Sequence, residues 1–87
     1  MTGYVADKDA LLKRLRRVEG QVRGLQRMVT EERYCIDIVT QIAAARTALE
    51  RVALQLLDDH VRSCIADGGD ERIDELVEAI ERFTATR

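Results

Sequence analysis

The sequence predicts an all-α protein whose protomer consists of three helices. Proline is absent from all 87 residues, 46% of the residues are hydrophobic and only three are aromatic. An aliphatic, proline-free composition of this kind favours helices packed on helices. Apolar residues also recur at alternating spacings of three and four, which is the period of an amphipathic helix. The length suits a single small domain, residues 1–87.

The first helix is predicted over residues 8–30, with Asp7 as its N-cap. Gly20 and Gly24 interrupt it at a cost of roughly 1 kcal/mol each relative to alanine. Glycines spaced i, i+4 are typical of a helix that another backbone approaches closely, and the segment "TEERY" then forms a turn. The apolar stripe of this helix comprises Leu11, Leu15, Val18, Val22, Leu25 and Val29.

The second helix is predicted to run without interruption from Cys35 to about residue 66, because neither glycine nor proline occurs between Met28 and Asp67. Its apolar seam is heptad-like, and His60 and Cys64 extend the same stripe. The members of the seam are Cys35, Ile38, Ile42, Ala45, Leu49, Val52 and Leu56.

Gly68 and Gly69 end the second helix, and Asp70 caps a short third helix. The third helix carries one apolar face, made of Ile73, Leu76, Val77, Ile80 and Phe83. A hairpin of this size encloses little core, and the second helix has apolar residues beyond a single seam. We therefore expect the first two helices of each chain to pair with those of a second chain as an antiparallel four-helix-bundle dimer.

The net charge of −2 conceals a strong asymmetry along the chain. Residues 12–27 carry six cations and one acid, whereas residues 67–82 carry seven acids and two cations. The basic stretch suits an anionic polymer, although a solvated helix face has the same composition, so the charges alone leave both interpretations open. The six cations are Lys13, Arg14, Arg16, Arg17, Arg23 and Arg27.

The sequence favours a cytoplasmic protein that is not an enzyme. Its N-terminus lacks the apolar run of a signal peptide, and no segment is apolar enough to span a bilayer. We therefore expect reduced thiols rather than a structural disulfide. The single histidine and the absence of a glycine-rich phosphate loop argue against catalysis.

His60, Cys64 and Cys35 are the only histidine and cysteines of the chain, and they suggest a metal site. Cys35 and His60 lie about 37 Å apart along a continuous helix, but they face within about 20° of the same direction. One chain cannot bring them to one ion. An antiparallel partner can place Cys35 between its own His60 and Cys64, which project side by side at i, i+4. Each dimer would then hold two equivalent sites about an axis near Ala48 and Leu49.

Two thiolates and one imidazole suit a soft ion of low coordination number, for which Cu(I) is the natural candidate. Zinc would need a fourth ligand such as Glu75, and nickel or cobalt would need more nitrogen and oxygen donors. The alternative is that all three are small residues of an apolar stripe, although a histidine in such a seam is costly without a partner. The residues alone leave the metal site and the packing role open.

Three segments closely resemble the copper-sensitive operon repressor (CsoR) family. They are "RLRRVEGQVRGLQRM" from Arg14, "YCIDIVTQIAA" from Tyr34, and the pair formed by His60 and Cys64. The resemblance covers nearly the whole chain. It implies an antiparallel dimer that assembles into a disc-shaped dimer of dimers, without a helix-turn-helix motif. It also implies an apo-tetramer that binds a GC-rich, pseudo-palindromic operator and is released by Cu(I), which derepresses copper efflux or buffering genes.

The family's ligand pattern points to its copper(I)-sensing branch. That branch uses a cysteine of one chain with a histidine and a cysteine of the other, which correspond here to Cys35, His60 and Cys64. The nickel and cobalt branch has further histidines that this chain lacks, the formaldehyde branch lacks the second cysteine, and the persulfide branch lacks the histidine. The resemblance also implies supporting roles at the metal site for Tyr34 and Glu75.

For DNA binding, Arg14 and Arg51 match positions that the family uses, and Lys13, Arg16, Arg17 and Gln21 would support them. Two other functions remain as alternatives. One is a thiol- or persulfide-responsive repressor of the same fold, which would link Cys35 to Cys64 of the partner subunit. The other is a cytoplasmic copper buffer that does not bind DNA.

Overall fold

Three α-helices make up most of the computed structural model, which describes residues 4–67 and 70–85, with side chains for 4–63 and 73–85. A short 3-10 turn, Val5–Asp7, leads into α1 (Lys8–Thr30), and α2 (Cys35–Asp67) and α3 (Asp70–Ala85) follow. No strand occurs in these ranges. The predicted all-α fold and its three helices are confirmed, while the break assigned to Gly68 and Gly69 lies outside the described residues.

The start of α1 differs from the sequence prediction in one respect. Asp7 occupies the N-cap position as predicted, but its side chain makes no capping hydrogen bond. Its backbone, at φ −105° and ψ 8°, continues the preceding 3-10 turn rather than adopting the β-region conformation usual at a capped N-terminus. The 3-10 turn, and not a side-chain cap, therefore leads the chain into α1.

Glu32, whose backbone has a left-handed conformation, follows the end of α1 and turns the chain toward α2. The Glu32 amide donates to the Val29 carbonyl at 3.0 Å, and the Arg33 amide donates to the Met28 carbonyl at 3.0 Å. This pair of bonds is a Schellman motif, which requires a positive φ at the residue after the C-cap. Glu32 has φ 56° there, a conformation in which glycine is usual. The Tyr34 carbonyl then accepts from the Asp37 amide as α2 begins.

The contacts divide the chain into two compact units, and each is described by itself. The first unit, residues 7–54, contains α1 and the N-terminal part of α2. Its core is small, because Leu11 and Val18 on α1 and Ala45 and Val52 on α2 are its buried apolar side chains. Each pair is two helical turns apart, so each helix contributes one narrow stripe. The assignment of residues 1–87 to one domain stays a prediction.

The second unit comprises residues 4–6, the end of α2 and α3. Asp59 is buried here, and its carboxylate accepts a hydrogen bond of 3.1 Å from the Gln55 amide nitrogen one turn earlier. Such a bond offsets part of the cost of removing a carboxylate from water. On α3, Leu76 and Phe83 are half-buried, whereas Ile73, Val77 and Ile80 are exposed.

Much of the predicted apolar seam of α2 is exposed among the residues that the structure describes. Ile42 and Leu49 are 49% and 46% exposed, although they alternate along the seam with the buried Ala45 and Val52. Large apolar side chains exposed in a regular row mark a surface that associates with another molecule. The dimer itself stays a prediction.

The two glycines of α1 do not bring another backbone close within this chain. A methyl group placed on Gly20 or Gly24 would meet no atom within 4 Å. The expectation of a close approach is therefore wrong for the protomer, because both glycines lie beside open space. Separately, none of the described helices is long and apolar enough to cross a membrane.

Candidate nucleic-acid and metal sites

An open cavity of ≈ 530 Å³ lies within residues 7–54, between α1 and α2. Its lining combines long cationic side chains with small residues. Arg14 shares it with Arg51, and further along α1 Gln21 shares it with Ala44. The full lining is Arg14, Arg17, Gln21, Ala44, Thr47, Ala48 and Arg51.

The cavity exists because small residues of α2 face long residues of α1. Ala44 and Ala48 are one turn apart on the same face of α2, and Thr47 lies beside them. The Thr47 hydroxyl donates to the Ala43 carbonyl at 3.1 Å, which holds it against its own helix. Short side chains leave the floor open, while the arginines extend from its rim. The cavity thus combines free volume with positive charge.

The structure separates the six predicted DNA-binding residues into two sets. Arg14, Arg17, Gln21 and Arg51 line the cavity, which unites residues from two helices. The other two predicted residues, Lys13 and Arg16, are exposed on α1 but do not line it.

The sequence prediction omitted the floor of the cavity. None of its three residues carries a charge. Ala44 ends one of the segments that resemble the CsoR family, but the resemblance assigned it no role, so only the spacing of i, i+3 and i+4 could have identified Ala44, Thr47 and Ala48 together. A row of small residues at this spacing on an otherwise bulky helix indicates space for a neighbour.

Charges around the cavity favour an anion. Among the described residues, no carboxylate lines it. Glu19 lies on α1 near the basic stretch, but its carboxylate is 3.9 Å from the Arg23 guanidinium, and neither residue lines the cavity. Three guanidinium groups in a lining that includes no carboxylate of the described residues create a local positive potential on a chain whose net charge is −2.

The three candidate metal ligands all lie on α2, although the structure describes them unequally. Cys35 is the first residue of the helix, and its thiol is free and exposed. His60 is half-buried. Cys64 lies within the same helix, and its side chain is outside the described set. The described side chains contain no group of three or more metal-ligating residues, so within them one chain alone assembles no metal site.

The two predicted supporting residues are accessible but not engaged in the single chain. Tyr34 directly precedes α2 and is 68% exposed. Glu75 lies exposed on α3. In the part of the chain that the structure describes, no hydrogen bond or ion pair joins Glu75 to His60.

Comparison with known proteins identifies the family. The model of the metal-sensitive transcriptional repressors matches residues 7–82, nearly the whole chain. This chain belongs to that family. The match confirms the resemblance to the CsoR proteins, and as members of this family act on transcription, DNA is their partner.

Relatives within the metal-sensitive repressor family respond to more than one metal. The copper-sensing repressor RicR of Mycobacterium tuberculosis is 53% identical over 81 residues, which cover 88% of this chain and 84% of RicR. A crystal structure of the copper-sensing repressor CsoR with Cu(I), from Geobacillus thermodenitrificans, superposes with a TM-score of 0.82 at 42% identity and covers 92% of this chain and 88% of that one. The nickel-responsive regulator InrS superposes with a TM-score of 0.76 at 45% identity, covering 86% and 90%. Membership of the family therefore does not by itself identify the metal.

Proposed function

We propose that this protein is a cytoplasmic copper(I)-responsive repressor that binds operator DNA in its metal-free form and releases it when Cu(I) binds. The observation that carries the proposal is that α2 holds both the soft donor set and one wall of the arginine-lined cavity. A change in the packing of α2 at the metal ligands is thereby connected to the surface that meets DNA. Release would derepress genes for copper efflux or buffering.

The donor set favours copper over the other metals sensed in the family. Cys35, His60 and Cys64 provide two thiolates and one imidazole, a soft set of low coordination number that suits Cu(I). Nickel, the effector in the name of InrS, prefers more nitrogen and oxygen donors, and this chain contains a single histidine. The names of RicR and of the Cu(I)-bound relative agree with this assignment.

The ligands meet across an antiparallel dimer in this proposal. The exposed row containing Ile42 and Leu49 supplies the apolar surface for the partner, and the continuous helix α2 places Cys35 near one end and His60 with Cys64 near the other. Cys35 of one chain together with His60 and Cys64 of the other would hold Cu(I), which would supply coordinate bonds between the two subunits. Two such dimers then form the disc-shaped tetramer.

The supporting residues act by orienting the ligands. A carboxylate that accepts a hydrogen bond from the ring nitrogen of a ligating histidine fixes its tautomer and orientation. Glu75 is the candidate for this role with His60, and Tyr34, directly before Cys35, would shield the exposed thiol. Formation of the Glu75 bond only in the metal-bound state would move α3. Coupling of two sites in this way typically amounts to about 1–3 kcal/mol per effector.

Operator binding depends on phosphate contacts in this account. Arg14, Arg17 and Arg51 would bind the backbone together with Gln21, and the exposed Lys13 and Arg16 would widen the contact. Such binding is strongly salt-dependent and carries limited base readout, so the sequence preference of a GC-rich, pseudo-palindromic operator arises largely from DNA shape and from the spacing of protomers.

A thiol-responsive repressor is the second candidate, and the exposed free thiol of Cys35 favours it. In that function, Cys35 becomes linked to Cys64 of the partner subunit by a disulfide or polysulfide, and His60 is dispensable. Mass spectrometry detects such a link after treatment with an inorganic polysulfide, whose sulfane sulfur is reduced to sulfide as the two thiols are oxidised. A copper buffer without DNA binding, by contrast, has no use for the arginine cavity.

X-ray absorption on the reduced protein, loaded anaerobically with one Cu(I) per chain, tests the proposed function directly. We expect a shell of two sulfurs and one nitrogen, and release of operator DNA by the same sample. The nitrogen is expected to disappear in His60→Ala, along with copper-dependent release. A linear two-sulfur site, or normal release by Cys35→Ala or His60→Ala, would reject the mechanism.

A further inference from the structure

We propose that the arginine-lined cavity between α1 and α2 is a binding site for one phosphate group, the phosphate seat. Free inorganic phosphate occupies this seat in competition with DNA. The seat itself follows from the cavity, and only the competition rests on the proposed function. The proposal assigns a small-anion site, and hence sensitivity to phosphate, to the surface that binds DNA.

The arrangement of the guanidinium groups suits a tetrahedral oxyanion. Arg14 and Arg17 reach the cavity from α1, and Arg51 reaches it from α2. Each guanidinium presents a planar fork of N–H donors that matches two oxygens of one phosphate. Groups arriving from two helices contact different oxygens, whereas a row of cations on one helix contacts successive phosphates. The geometry therefore selects phosphate over a monatomic anion such as chloride.

Gln21 adds an observation that does not depend on charge. Its Oε1 atom is buried and has no hydrogen-bond partner among the described residues. A buried acceptor without a donor is costly and is rare in folded proteins. Arg17 lies one turn before Gln21 on the same face of α1 and carries spare N–H donors. A bound phosphate would fix the position of the Arg17 guanidinium. The same guanidinium could then also donate a hydrogen bond to Gln21 Oε1, so binding of the anion would give this buried acceptor a partner.

The cavity is large enough for a phosphate group together with an attached sugar or with retained water. Sites for small molecules typically enclose about 300–1,000 Å³. The cavity, at ≈ 530 Å³, lies in this range and exceeds what one bare phosphate occupies. A backbone phosphate with its sugar fits over the floor formed by Ala44 and Ala48, and free phosphate binds there with retained water. Both sources present the same oxyanion to the same arginines.

The test is calorimetric titration of the metal-free, full-length protein with sodium phosphate, with sodium chloride at equal ionic strength as the reference. We expect one phosphate per chain. Arg17→Ala should weaken binding at least about tenfold, which is 1.4 kcal/mol, because it removes charge-assisted hydrogen bonds. Arg23→Ala is the matched control, since Arg23 lies on the same helix outside the cavity and next to Glu19. It should leave binding unchanged.

A second variant tests whether phosphate binding requires the shape of the cavity in addition to its positive charge. Ala44→Leu fills the floor and retains every arginine, so loss of phosphate binding in a variant that still unfolds cooperatively supports a built seat. Equal weakening by Arg17→Ala and Arg23→Ala, with no effect of Ala44→Leu, would overturn the seat and leave diffuse attraction only. Phosphate should then displace operator DNA from the wild-type protein more effectively than chloride does.

The outcomes distinguish this inference from the proposed function. Binding of DNA that depends on the arginines, without saturable binding of phosphate, overturns the seat and leaves the repressor intact. Saturable phosphate binding in a protein that binds no operator DNA supports the seat and rejects the repressor.

Discussion

Arg14 on α1 and Arg51 on α2 line the same cavity, although a whole helical hairpin separates them along the chain. The pairing joins a residue of the basic stretch to one that lies outside it in sequence. The proposed DNA-binding surface therefore depends on the hairpin as a unit and not on α1 alone.

Arg14→Ala and Arg51→Ala should each weaken operator binding and make it less sensitive to salt. Each lost phosphate contact lowers the slope of log K against log salt by about 0.9. Fluorescence anisotropy at several salt concentrations measures both quantities. Arg82→Ala is the control, because Arg82 lies on α3, near Glu78. An equal loss of slope in the control would show that general charge, and not the cavity, binds DNA.

Leu49→Glu should prevent formation of the proposed dimer and leave a monomer. Leu49 is exposed at the centre of the apolar row on α2, near the proposed two-fold axis, so a substitution there places two carboxylates together in an apolar interface. Leu54→Glu is the matched control, since Leu54 is also exposed on α2 but points about 140° away. Light scattering coupled to size exclusion gives the masses. A monomeric Leu54→Glu beside a dimeric Leu49→Glu would assign the interface to another face.

Gly20→Ala and Gly24→Ala should each stabilise α1 by about 1 kcal/mol, since alanine restricts the unfolded chain and the added methyl meets no atom of the protomer. Urea denaturation measures the change in the free energy of unfolding. Destabilisation together with a change in mass would mean that a partner backbone passes these glycines in the assembly.

Glu32→Gly should also stabilise the protein, by about 1 kcal/mol, because Glu32 has φ 56° and a left-handed conformation costs a residue with a side chain roughly that amount. Glu31→Gly serves as the control, since Glu31 has φ −83° and gains nothing from glycine. The two variants differ by one position and should shift the thermal midpoint in opposite directions. A decrease in both would indicate that the Glu32 side chain makes a contact worth more than the strain.

The sequence was sufficient to predict the helices but not the surfaces that they create. The alternating spacing of apolar residues predicted α1 as residues 8–30 and placed the start of α2 at Cys35, as observed, because amphipathic periodicity and the absence of proline act locally. The cavity depends on Ala44 and Ala48 facing Arg17 and Gln21 across the hairpin, and residue types alone do not report such register. The start of α1 shows a similar limit, since Asp7 takes the predicted N-cap position but its side chain makes no capping hydrogen bond.

The metal site could be predicted from the sequence only in part, for a different reason. Cys35, His60 and Cys64 could be selected as candidates because they are the only cysteines and histidine of the chain. Their convergence requires a second chain, and the described part of a single protomer brings no three ligating side chains together. The ligand set, the roles of Tyr34 and Glu75 and the intersubunit geometry stay predictions.

Copper binding by mixed dimers shows whether the metal site is shared between subunits. A chain carrying Cys35→Ala is combined with a chain carrying both His60→Ala and Cys64→Ala, and Cu(I) retained against a strong chelator is measured. Neither variant alone should hold copper. In a mixed dimer, one site receives all three native ligands, so the account predicts recovery of about one Cu(I) per mixed dimer. Failure of the mixture to retain any copper, with dimerisation verified, would contradict a site shared between subunits.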